Sequence, residues 1–179
     1  TRSWINFSKT KSDLRLEVRT KSALFNSLSD LTPSEKILFS WTLSPEKVVT
    51  NNEFNTPTLG RRISAIRLAI KKGWKVRLCF DPVIIYDNWE KDYGELLNKI
   101  IILLDCNNIY DITVGVFRMG QDYFQRIRKS NPHSLEYYKD YVEKNKIVTV
   151  SQDDRDRVKT LFANKLKDYI ADDKIHFWI

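Results

Sequence analysis

LGRRISAIRLAIKKGWKVRLCF, residues 59–80, is the stretch that decides the fold. Its first part places Leu59, Ile63, Ile66 and Ile70 at spacings of four, three and four, one apolar stripe along a helix over Leu59–Lys72. Thr58 stands where a hydroxyl caps the first turn, and Gly73 stands where a left-handed residue ends the last one. The run Lys75–Phe80 that follows is short, aliphatic and bounded by Asp81-Pro82, as a buried strand is. A helix stopped by glycine and followed at once by a buried strand is half of a βαβ unit.

The same signals repeat on both sides. Leu14–Arg19 and Ile37–Leu43 read as strands before this unit, and Ile109–Val116 as a strand after it. Ser22–Leu28 reads as a short helix. Trp89–Leu104 reads as a long one, with Trp89, Tyr93, Leu96, Leu97, Ile100 and Leu104 inward and a capping box of Asp87 with Glu90. Strand and helix alternating at these intervals predict an α/β protein with parallel strands. The region 1–120 supplies four of them. Beyond it, 121–179 reads as a helical extension packed on the same domain. Short helices are expected over Gln121–Lys129 and Ser134–Lys144, then the apolar stretch Lys146–Val150. A helix capped by Ser151 and Asp154 follows, with Val158, Leu161, Phe162 and Tyr169 inward, and a final strand spans Lys174–Ile179.

Composition narrows the function. With 42% hydrophobic and 30% charged residues the chain is globular. The purely aliphatic run Ile100–Leu104 is far short of the ~20 residues that cross a bilayer, so no membrane partner is expected. Two cysteines, Cys79 and Cys106, exclude a disulfide framework and a cluster held by three thiolates of this chain, so no metal ligands are assigned here. They fit a reducing, cytoplasmic setting. The start at Thr1 reads as a piece of a longer protein. Five glycines and no Gly-rich phosphate loop argue against ordinary dinucleotide and nucleotide triphosphate enzymes. Thirty Lys and Arg against 23 Asp and Glu give a net charge of +7, which suits nucleic acid. The seven basic residues from Arg61 to Arg77, with no acid between them, read mainly as a solvated helix face directed away from the strand ends.

In parallel α/β proteins chemistry gathers at the carboxyl ends of strands. There this sequence delivers Lys21, Thr42, Ser44, Asp81 and Arg118. Lys21 and Arg118 suit a carboxylate or phosphate, Thr42 and Ser44 add hydroxyls, and Asp81 accepts from an amine or hydroxyl. Cys79 reads as a core residue, Cys106 as inert, and His133 and His176 as too distant in sequence to form a metal pair. Trp41, Trp74 and Trp178 read as packing residues.

Taken in order, these strand ends resemble the second half of spore photoproduct lyase and its radical-SAM DNA-repair relatives. The likeness starts at Glu17-Val18-Arg19-Thr20-Lys21, similar to the family's E-x-x-T-K strand. It passes through Ser40-Trp41-Thr42-Leu43-Ser44-Pro45-Glu46, Thr56-Pro57-Thr58-Leu59, Arg62-Ile63, Gly73-Trp74, Asp81-Pro82-Val83-Ile84, Trp89 and Tyr93. It ends at Phe117-Arg118 and Lys174-Ile175-His176-Phe177-Trp178. The resemblance implies a partial (β/α) barrel, the second half of a radical-SAM-type barrel. In that family S-adenosylmethionine is cleaved at a [4Fe–4S] cluster to a 5′-deoxyadenosyl radical, and a thymine lesion in DNA is repaired. By motif position Lys21 and Thr42 hold the amino-acid part of S-adenosylmethionine, Phe80 and Asp81 approach its adenosyl side, and Arg118 with Ser44 faces the substrate or its phosphate. The family's C-x3-C-x2-C cluster motif is absent from these residues. The chain is therefore expected to be incompetent alone, to present an open edge and apolar face at Leu14–Arg19, and to associate with an amino-terminal barrel half or another copy of itself. The alternative expectation is a non-catalytic basic module or partner subunit derived from that fold.

Overall fold

The computed structural model describes residues 1–130, 132 and 140–179. In chain order the elements are α1 (Arg2–Lys9), β1 (Leu16–Thr20), β2 (Ile37–Thr42), α2 (Glu46–Asn52), α3 (Leu59–Lys71), β3 (Lys75–Val83), α4 (Trp89–Leu103) and β4 (Asp111–Val116). Then come β5 (Arg118–Gly120), α5 (Gln121–Ser130), β6 (Val142–Lys144), β7 (Ile147–Thr149), α6 (Gln152–Leu166) and β8 (Ile175–Trp178). One sheet has the order β1-β2-β3-β4-β8, and all its pairings are parallel. The sheet thus has five strands, not four. The closing aromatic segment pairs with β4, from Ile112 opposite Ile175 to Gly115 opposite Trp178.

Around the deciding stretch the local signals hold. Thr58 Oγ1 accepts from the Arg61 amide, and Gly73 has φ 85°. The second capping box does not form: α4 starts after Asn88, itself left-handed at φ 67°, and no side chain caps it. The expected helix Ser134–Lys144 lies outside the described residues over 134–139, as does His133. Its end is instead the strand Val142–Lys144. That strand pairs antiparallel with β7 across Asn145 and Lys146, both at positive φ, as a tight hairpin turn requires. Tyr169 lies beyond α6 and is exposed rather than inward. Helices α1 and α2, of eight and seven residues, are too short to give a long apolar stripe and are not among the expected elements.

Register sorts the sheet into two chemically distinct faces, because side chains alternate along a strand. On one face lie Ile37, Phe39, Trp41, Val76, Leu78, Phe80, Ile112, Val114 and Val116, all buried. Helices α3, α4 and α6 complete this core through Ile63, Ile66, Leu97, Ile100, Val158 and Phe162. Trp74 joins Phe25 and Phe39 in edge-on contacts with centroids 5.2–6.5 Å apart. Helix α1 belongs to this side. Ile5 is buried, Lys9 sits 5.8 Å over Trp74, and Arg2 pairs with Asp30 at 2.7 Å.

The opposite face carries Glu17 and Arg19, Ser40 and Thr42, Arg77, Cys79 and Asp81, Asp111 and Thr113, and His176 and Trp178. This corrects the expectation that the uncovered face would be apolar. Its charges are internally matched. Arg77 donates to both Asp111 oxygens at 2.5 and 2.6 Å and lies 3.2 Å from Glu17, which accepts from Ser40 at 2.6 Å. Asp111 holds the Arg77 guanidinium above its ordinary pKa, and burial pushes the Cys79 thiol up. Among the described residues no helix is long and apolar enough to cross a membrane.

The basic run is not one solvated face. Arg61, Arg67, Lys71 and Lys72 are exposed, but Arg77 lies on the polar sheet face and Arg62 is fully buried. Arg62 donates to Pro57 O at 2.9 Å, Thr42 O at 3.3 Å and Thr56 Oγ1 at 2.7 Å, and it meets Glu53 at 2.5 Å. Removing one member of a buried pair strands the other, at about 3–5 kcal/mol. Arg62→Met is therefore expected to lower unfolding free energy by about that amount in urea titration, with part recovered by adding Glu53→Gln. A second expectation concerns α1. The hydrogen bond from Arg2 lowers the Asp30 carboxyl from 3.8 to about 2. A depressed carboxyl stabilises above its unfolded value and loses that contribution as pH falls through the folded one. An NMR titration should find the Asp30 midpoint near 2 in the native chain and within the ordinary carboxylate range in Arg2→Ala.

Candidate functional site at the strand ends

Asp81 closes the polar face at its carboxyl end. Both terminal nitrogens of Arg118 donate to it, Nη1 to Oδ1 at 3.0 Å and Nη2 to Oδ2 at 3.1 Å, the fork geometry that favours arginine over lysine. Nη1 also reaches Val116 O at 3.1 Å and Trp178 O at 3.3 Å. From the other side Arg19 Nη2 donates to the Asp81 carbonyl at 2.8 Å, and Nε reaches Thr42 Oγ1 at 3.4 Å. One carboxylate-centred group therefore joins the ends of β1, β2, β3, β4 and β8. It crosses β4 directly above Gly115. A Cβ there would lie 2.7 Å from Asp81 Cγ and 2.9 Å from Arg118 Nη1. Only glycine admits the pair this close to the strand.

A second group lies around Glu53, whose side chain is 9% exposed. Lys21 Nζ is 3.4 Å from Oε1, Ser44 Oγ donates to the same oxygen at 3.3 Å, and Arg62 meets Oε2. Thr42 connects the two groups, since its hydroxyl accepts from Arg19 and its carbonyl accepts from Arg62.

The five residues expected at the strand ends are thus sorted into two sets. Thr42, Asp81 and Arg118 belong to the first group, Lys21 and Ser44 to the second. Phe80 is placed differently: its ring is fully buried on the helix-covered face, 5.0 Å from Phe162, so only its backbone borders the rim. Arg19, Glu53, Arg62 and Gly115 were not singled out. For Arg62 a signal existed, because it lies three residues after Leu59 and four before Ile66, on the apolar stripe itself. Glu53 gives no sequence signal.

Beyond the ends of β3 and β4 opens a cavity of about 610 Å³. Its wall includes Tyr86, Trp89, Phe117, Tyr141, Glu90 and Arg157. Arg157 lies 5.5 Å over the Trp89 ring and donates to Glu90 at 3.1 Å. Burial, aided by the hydrogen bond to Asp92, holds the Tyr86 phenol above its ordinary pKa.

Gly115→Ala tests the clasp. Overpacking at this point is expected to cost about 1–3 kcal/mol in urea unfolding. In an Asp81→Ala background, where the nearest obstacle is gone and the Arg118 guanidinium has lost the carboxylate that holds it over Gly115, the cost should largely vanish. Equal costs in both backgrounds would contradict the arrangement.

Comparison with known proteins gives a consistent set of similarities. The family model described as spore photoproduct lyase matches residues 1–178. The curated spore photoproduct lyase of Bacillus subtilis (strain 168) is 30% identical over 104 residues, covering 58% of this chain and 30% of that protein. That of Clostridium acetobutylicum is 29% identical over 85 residues, covering 48% and 25%. Among solved structures, a mutant spore photoproduct lyase with bound AdoMet and dinucleoside spore photoproduct superposes with TM-score 0.77 at 17% identity, over 98% of this chain and 54% of that one. A second, complexed with dinucleoside spore photoproduct, gives 0.77 at 18% identity over the same shares. The chain therefore spans about half the length of the solved relatives. On the match that runs over residues 1–178, the chain belongs to the spore photoproduct lyase family.

Proposed function

We propose that this chain is the carboxyl-terminal part of a radical-SAM lyase that repairs a thymine lesion in DNA. In this reading its sheet is the second half of a partial (β/α) barrel, and the cluster ligands come from outside these 179 residues. What carries the reading is the family match over 1–178, supported by Thr42, Asp81 and Arg118 meeting in one group at the ends of parallel strands, with Lys21 in the adjoining group around Glu53.

The rim suits the amino-acid end of S-adenosylmethionine. Lys21 offers a cation to a carboxylate and Thr42 a hydroxyl, while Ser44 is buried and donates to Glu53. The cluster does not fit this chain. Cys79 is buried within β3, Cys106 follows α4, and among the described residues no three His, Cys, Asp or Glu are grouped to hold a metal. Together with its cluster, S-adenosylmethionine supplies the hydrogen-abstracting chemistry. The residues here bind and orient: Lys21 and Thr42 hold the cofactor, Asp81 fixes Arg118, and Arg118 meets the substrate, while Ser44, expected beside it, is held at Glu53 instead. The aromatic cavity beside Phe117 is within the ~300–1,000 Å³ of small-ligand sites and suits a dinucleoside-sized lesion. Among the described residues β1 has β2 as its only strand neighbour, and the reading gives its free edge to the complementary barrel half. Cytoplasmic residence goes with a DNA substrate and free thiols.

The test is binding to matched oligonucleotides with and without a dinucleoside spore photoproduct. The native chain is expected to favour the lesion, and Arg118→Ala to lose that preference. Equal, steeply salt-dependent affinity for both would overturn the reading in favour of a charge-driven module. After anaerobic reconstitution the chain alone is expected to stay iron-free; stoichiometric iron with a stable cluster absorbance would contradict the ligand assignment.

A further inference from the structure

We infer that Glu53 and Arg62 are positioning residues that hold the Lys21 ammonium at the rim. The inference rests on the reading that Lys21 takes the carboxylate of S-adenosylmethionine. Lysine is a flexible four-carbon stem with a point charge, so alone it defines no position. The structure supplies the definition through a relay. Arg62 is fully buried and is held at Pro57 O, Thr42 O and Thr56 Oγ1. These contacts pin the segment after α2 to the end of β2. The same guanidinium stands in ion-pair contact with Glu53 Oε2, which is buried and makes no hydrogen bond, and Oε1 is left directed at Lys21 Nζ, 3.4 Å away, and at Ser44 Oγ.

Exposure falls along the relay, which shows its direction of action. The Lys21 side chain is 39% exposed, Glu53 9% and Arg62 0%. The outer member can meet a ligand and the inner members cannot. A carboxylate this buried with two cations is a fixed counter-charge, and it leaves the other ammonium protons of Lys21 free to point outward. A second carboxylate, from a ligand, then completes the ammonium's set of partners.

Two measurements separate this from the function it rests on. The first is competitive acylation of the folded chain with an amine-reactive acetyl ester, read by mass spectrometry as Lys21 relative to exposed Lys99. A lysine nitrogen held against Glu53 is less accessible to the reagent, so Glu53→Gln is expected to raise the ratio severalfold. An unchanged ratio overturns the inference. General loosening of the fold would also raise Lys75, whose side chain is 30% exposed, so a rise at Lys21 without one at Lys75 is the result expected. The second is calorimetric titration with S-adenosylmethionine. Glu53→Gln and Lys21→Ala are each expected to raise Kd by about tenfold, and the double variant to be no weaker than either single, since both remove one interaction. Additive losses overturn the relay. If the native chain binds no S-adenosylmethionine, the cofactor reading of the rim fails, and the labelling ratio still decides whether Glu53 holds Lys21.

Discussion

The Asp81–Arg118 ion pair is the contact on which the strand ends depend. Parallel strands bring their carboxyl ends to one side, but nothing in a backbone ladder fixes the side chains found there. A bidentate pair across β4, made possible by the missing Cβ of Gly115, does so for three strands at once. Arg19 extends the hold to β1 and, through Thr42, to β2. The pair is partly exposed, with Asp81 at 18% and Arg118 at 44%, so its worth lies in geometry more than in stability.

Beneath that clasp the sheet has an unusual division of labour. One face is a conventional apolar core. The other is a lattice of matched charges, Glu17 with Arg77 and Arg77 with Asp111, which His176 approaches to 3.6 Å. This division explains where α1 goes. An amphipathic helix with Ile5 to bury joins the apolar core that also holds Phe25 and Trp74, and its Lys9 lies over the Trp74 ring. Trp4 and Phe7 stay exposed at 63% and 47%.

The parts of this architecture that the sequence revealed are those governed by local rules. The stripe of Leu59, Ile63 and Ile66, the capping hydroxyl of Thr58 and the left-handed Gly73 marked α3 and the start of β3. The strand ends followed, because parallel topology makes their location a consequence of order. What stayed hidden depends on contacts between distant residues. Glu53 acquires its role only when α2 brings it beside Arg62 and Lys21, and a carboxylate in a loop looks like any other. Arg62 was read as solvated because charge outweighed its place on the apolar stripe. Phe80 and Asp81 are sequence neighbours that end on opposite faces, which strand alternation alone would have shown. The fifth strand was visible as an aromatic segment, but its parallel pairing with β4 required the crossover through α5 and α6.

The proposed cofactor site at the ends of β1, β2 and β3 rests on Lys21, Thr42 and Asp81. The most direct test follows backbone amide signals of the isotope-labelled chain while S-adenosylmethionine is added. The account predicts that the largest shifts fall at Lys21, Thr42, Ser44 and Asp81. Shifts centred instead on the aromatic cavity at Tyr86 and Trp89, or none at saturating cofactor, would contradict it.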